Sequence, residues 1–175
     1  MSTVRHRLMC RESECRLAAA EVLRAAADAS DSAYLLELLA FELLLKVVFE
    51  KTTSSLAPMH HHYEKIFDAL PQNTQGDVIR LAGERVGPSA LTLNASGVLR
   101  DLGSNFVQLR YPFHRYSQMT ELEYEQVGTK WLANGANESD AHFRYYPEEL
   151  LGLTVALQTL AANHSFKPEP LGGSA

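Results

Sequence analysis

The sequence has no excess of positive charge, few cysteines and no long apolar run free of ionisable groups, and each shortage removes a class of function. Sixteen Lys and Arg against 21 Asp and Glu give a formal charge of -5 over 175 residues. A general phosphate-binding surface is therefore not expected, and any nucleic-acid contact must come from a local basic patch. Only two cysteines occur, Cys10 and Cys15, with no stretch resembling a signal peptide ahead of them, which points to a reducing, cytoplasmic setting. Cys15 falls on the apolar stripe of a first helix and Cys10 does not, so the pair makes a poor redox or metal motif and Cys15 reads as a small buried hydrophobe. The greasiest run, Ala33 to Phe49, is interrupted by Glu37, Glu42 and Lys46. Those groups would be costly inside a bilayer, so a buried helix is expected there and no membrane partner. No repeat of fixed period is visible.

Hydrophobic residues make up 46% of the chain, enough for one packed core, and the expected organisation is a single helical domain over 1–166 with a disordered tail at 167–175. Periodicity places a first helix over Val4 to Ala29 and a second, apolar nearly all round, over Ser32 to Lys51. On that second helix Glu42, Lys46 and Glu50 recur every four residues, with Glu42 ahead of Lys46 in the favourable order for an ion pair. They form either a solvated stripe or one wall of a cleft. A Ser/Thr/Pro loop leads to His60, His61 and His62 and to a short periodic stretch, Tyr63 to Leu70. Adjacent histidines diverge, and none recurs three or four residues away, so helix-start capping or packing is favoured over zinc and no metal or cofactor is expected. A small peripheral helix is expected from Asp77 to Val86, ended by Gly87 and Pro88. Another runs from Ala95 to Arg110, and the last begins at Pro147, with Glu148 and Glu149 at the positive end of its dipole, and continues to His164. Residues 117–144 read as a long connection or insertion, although Glu121 to Glu125 could start a helix. His6, His142 and His164 lack partners in sequence and are expected at the surface.

The stretch Phe106 to Tyr116 concentrates two arginines, a histidine and several aromatics around Pro112, which must end or kink the helix that enters it. Arg110, His114 and Arg115 are released past that bend. Arg110 and Arg115 could contact phosphates, Tyr111, Phe113 or Tyr116 could stack on bases, and Lys46 could add a point charge. Alternatively Tyr111 and Phe113 plug the core and Arg110 pairs with Glu42, making a structural joint.

Two stretches together resemble the HEPN family of small helical domains. One is Ala40-Phe-Glu-Leu-Leu-Leu-Lys46 followed by His61-His-Tyr-Glu-Lys-Ile-Phe-Asp-Ala-Leu70. The other is Phe106-Val-Gln-Leu-Arg-Tyr-Pro112. The resemblance covers about Ser32 to Tyr116. It implies an all-α, up-and-down bundle of four main helices with one or two short extra helices, often homodimeric, in a family associated with nucleotide or RNA binding, RNA cleavage and toxin-antitoxin or defence systems. The ribonuclease members pair an arginine with a histidine four to six residues later, whereas here His114 follows Arg110 after three residues, with Pro112 between. The expectation is a domain that binds a nucleotide or RNA segment through Glu42, Lys46, Arg110, Tyr111 and Arg115. One alternative is a metal-independent endoribonuclease using Arg110 and His114; the other is a non-catalytic module with a partner protein.

Overall fold

A computed structural model describes residues 3–163 and is helical throughout, with no strand among those residues. Helix α1 spans Thr3–Ala25 and α2 spans Ser32–Thr53. Arg5 near the start of α1 meets Glu50 near the end of α2, and Arg24 meets Glu37 at the opposite ends, so the two helices run antiparallel. Helix α2 is the spine of the core. Leu38, Ala40, Leu45, Val47 and Val48 along it are wholly buried, and each large apolar side chain so placed contributes about 1.5–3 kcal/mol. Ser54 ends it in the left-handed conformation.

Helix α3 spans Tyr63–Asp68 and α4 spans Gln72–Val86. The latter starts earlier than its turn-like composition predicts, because the Gln75 side chain donates to the carbonyls of Asp68 and Leu70 and ties the end of α3 to the first turn of α4. Nor is α4 peripheral. Thr74, Val78 and Ala82 are buried on it, and it packs on α9, Pro147–Asn163. Gly152 permits this approach, since a Cβ there would lie 3.0 Å from both Ala82 O and Val86 Cγ1.

Helix α5 covers Ala90–Gln108 but breaks at Asn94, whose side chain accepts from Gly97 N at 2.9 Å. The helix proper therefore starts at Ala95, as periodicity predicts, with Asn94 as its cap. Between α5 and α9 the chain forms α6 (Pro112–Tyr116), α7 (Glu121–Glu125), α8 (Val127–Ala133) and a 3-10 turn at Glu138–Asp140, so the long connection is largely helical. Thr120 and Glu123 make a reciprocal capping box for α7. No residue of α6, α7 or α8 is buried. The connection is fastened where it returns to α9: Asn105 donates to Arg144 O at 2.6 Å, Tyr34 donates to Tyr145 O, and Arg144 pairs with Asp101 at 3.1 Å.

Two local expectations are corrected. Cys10 packs against the core and Cys15 is exposed, because the buried stripe of α1 passes through Ser13 and Ala20. His6 is mostly covered, its side chain 12% exposed and its Nε2 3.1 Å from Glu50. The tail at 167–175, the end of the domain at 164–166 and His164 lie outside the described residues. No helix among the described residues is long and apolar enough to cross a membrane.

Candidate functional site

The site is assembled from a buried carboxylate outward. Glu42 is 5% exposed, and a charge taken that far from water needs partners. Lys46, one turn along α2, donates to it at 2.7 Å. His61, in the loop before α3, places Nδ1 2.8 Å and 3.0 Å from its two oxygens. The ionic stripe on α2 is thus not a solvated face: Glu42 and Glu50 are both buried, and each has partners brought from another element.

His61 is held from its other side by Phe106 of α5, ring centres 5.0 Å apart in an edge-on arrangement. Gly103, one turn earlier, lets the loop lie against α5, since a Cβ there would sit 2.8 Å from His61 O and 3.2 Å from Tyr63 N. Beneath the loop, fully buried Tyr63 donates to Leu38 O at 3.1 Å. Burial first, and the Glu42 carboxylate second, push its phenol well above the ordinary value, so it stays a neutral donor. His60 is held below the usual histidine value by burial and then by the positive surroundings of His62, Lys46 and Lys65.

Arg110 stands over the same Phe106 ring, its Cζ 4.5 Å from the ring centre, and its Nε donates to Phe106 O at 3.0 Å. That bond satisfies a carbonyl at the end of α5 and leaves the two terminal nitrogens without an acceptor among the described residues. The residue is exposed and has no acidic partner among the described residues, Glu42 included. Pro112 then occupies the first turn of α6, where its missing N–H costs nothing. Tyr111 and Phe113 are 51% and 62% exposed, so neither plugs the core. Arg110 Cζ and the His114 ring lie 5.8 Å and 6.0 Å from the centre of the Tyr111 ring.

The geometry therefore joins Glu42, Lys46, His61, Phe106 and Arg110 into one continuous chain of contacts, with Tyr111, Phe113 and His114 on its outer edge. Arg115 is turned aside: it donates to Gln108 and lies 5.1 Å over the Phe143 ring, fastening α6 to the strap before α9. The His60 and His62 rings lie 5.1 Å apart, tilted by 50°, and among the described residues no group of three or more His, Cys, Asp or Glu is arranged to hold a metal ion. The expected set omits His61, Phe106 and Gly103. Glu42 in an apolar helix called for a partner, and the histidine run was the nearest supply of donors, but nothing in the spacing says which histidine turns inward.

Comparison with protein-family models, with curated proteins and with solved structures found no match.

Proposed function

We propose that this chain is a HEPN-like domain that binds a nucleotide or an RNA segment at the corner made by Arg110, Tyr111, Phe113 and the Glu42–His61 wall. The observation that carries the reading is the exposed guanidinium of Arg110, anchored through Nε on Phe106 O and without an acidic partner among the described residues, beside two exposed aromatic rings. A phosphate needs such a fork of donors, and a base needs such a face to stack on. The reading extends to a four-helix up-and-down bundle of α1, α2, α5 and α9, to a homodimer and to a cytoplasmic toxin-antitoxin or defence setting.

Fluorescence anisotropy with a labelled single-stranded RNA and with a labelled nucleotide tests this reading. Arg110→Ala should weaken binding by about tenfold, and wild-type affinity should fall as salt rises. Binding that is absent, or equal and salt-insensitive in both proteins, contradicts it. A second reading, metal-independent RNA cleavage by Arg110 and His114, draws on the position of both beside Tyr111. It expects activity in the presence of a chelator that disappears in His114→Ala.

A further inference from the structure

We infer that His61, held by Glu42, is the proton-transfer group of this site, and that the site cleaves single-stranded RNA through it rather than through His114. The inference rests on the RNA-binding reading and adds a reaction to it. His61 has three features that suit it to proton transfer beside a bound phosphate. Its Nδ1 faces a buried carboxylate at 2.8 Å, which fixes the ring orientation and favours the tautomer that carries its proton on Nδ1. Its Nε2 has no partner among the described residues, and the side chain is 37% exposed, so the basic lone pair of that tautomer is open to a substrate. A guanidinium without an acidic partner lies one aromatic ring away, both groups resting on Phe106. His114 lacks the first feature: its neighbours are the rings of Tyr111 and Phe113, and no carboxylate among the described residues holds it.

Charge placement also fits. Lys46 shares Glu42 with His61, so the carboxylate is paired whether or not the imidazole is charged and can support both states of a proton-transfer cycle. Because both groups rest on Phe106, a scissile phosphate held by Arg110 would present its adjoining ribose hydroxyl to His61. His61 Nε2 takes the proton of the 2′-hydroxyl as the 2′-oxygen forms a bond to phosphorus. The bond from phosphorus to the 5′-oxygen breaks, and that oxygen takes a proton from solvent, while His61 returns its own to solvent. The products are a 2′,3′-cyclic phosphate and a 5′-hydroxyl, with no water consumed and no metal or oxidant required. Arg110 stabilises the charge gathered on the phosphorane oxygens. Glu42 is a positioning residue.

The test uses the full chain, with EDTA present, on a fluorescein-labelled single-stranded RNA and on its DNA counterpart, reading cleavage on a denaturing gel and binding by anisotropy on the same samples. His61→Asn keeps a donor near the place of Nδ1 for Glu42 and removes Nε2, so the fold should persist, and anisotropy on the same samples separates any weaker RNA binding from lost cleavage. The expected result is cleavage of RNA and not DNA, slowed about 100-fold or more by His61→Asn and less than about threefold by His114→Ala. Glu42→Gln should slow it about tenfold and move the His61 proton from Nδ1 toward Nε2 in a histidine nitrogen-15 NMR spectrum, a change that mere packing would not produce. Wild-type protein that binds RNA without cutting it, or His61→Asn that cuts at the wild-type rate, overturns the inference and leaves the binding reading in place. Loss of cleavage confined to His114→Ala also overturns it. Failure to bind RNA at all removes both.

Discussion

Helix α2 carries two buried glutamates eight residues apart, and they are spent differently. Glu50 is 1% exposed and accepts from Arg5 Nε and Nη2, His6 Nε2 and Ala57 N. Its partners come from the first turns of α1 and the loop after α2, and together they lock the antiparallel pair and the chain's exit from it. Glu42 has two partners, Lys46 and His61, and one of these keeps an open edge beside an outward arginine. Glu50 collects four donors from the two segments that flank it and so fastens them, although Arg5 itself stays half exposed. Glu42 has fewer donors, and its histidine keeps a ring nitrogen without a partner among the described residues beside an arginine with no acidic partner there, a difference that composition cannot reveal.

Substitution should separate them. The largest effect on stability is expected from Glu50→Ala, about 2–4 kcal/mol in urea unfolding, because it leaves the Ala57 N–H and a half-covered Arg5 without their acceptor. Where the variant is folded its RNA affinity should match wild type. Next is Gly103→Ala. The added methyl meets backbone rather than a yielding side chain, so about 1–3 kcal/mol of destabilisation should accompany displacement of the His61 loop. Loss of the edge-on His61–Phe106 contact, read from ring-proton shifts, checks the second part.

Acid should act on Glu50 in a defined sense. Burial alone would raise its pKa, but Arg5, the Ala57 N–H and His6 outweigh that and hold it below the ordinary carboxylate value. A group depressed in the folded state contributes fully above its unfolded value, near 4.3, and loses that contribution as pH falls through the folded value. The stability gap between wild type and Glu50→Gln should therefore be widest near neutrality and close as the pH drops below about 4. A gap that widens on acidification would show that the Arg5–Glu50 pair is not what fastens α1. The smallest effect on stability is expected from Arg110→Ala, within about 1 kcal/mol, since the residue is exposed and loses one Nε bond and its contact with the Phe106 ring. A larger loss would make Arg110 a structural joint and erase the contrast between the two carboxylates.

Much of this arrangement can be read in the chain. The apolar periodicity of α2, the restart of α5 at Ala95 and the Pro147 start of α9 follow from spacing and capping chemistry alone, because each depends on neighbours within a turn. Segments whose structure depends on distant contacts were less legible. Gln72 to Gly76 has the composition of a turn yet is helical, because Gln75 bonds back to α3 and Gly152 brings α9 against the same helix. His6 and Cys10 were misplaced because a helical stripe gives the buried face only to within a residue or two, and Glu50 draws His6 inward. At the site, the cationic corner at Arg110 was visible from Pro112 onward. Its link to Glu42 was not, because it runs through a histidine 19 positions away and through the missing side chain of Gly103. The aside turn of Arg115 depends on Phe143, far along the connection.

The contrast between the two glutamates is tested most directly by following backbone and side-chain NMR shifts while a short single-stranded RNA is titrated into the protein. The account predicts that shifts concentrate on Lys46, His61, Arg110, Tyr111 and His114 and spare Arg5, His6 and Ala57. Shifts gathered around Glu50, or scattered over the surface with Arg110 and His61 unmoved, would contradict it.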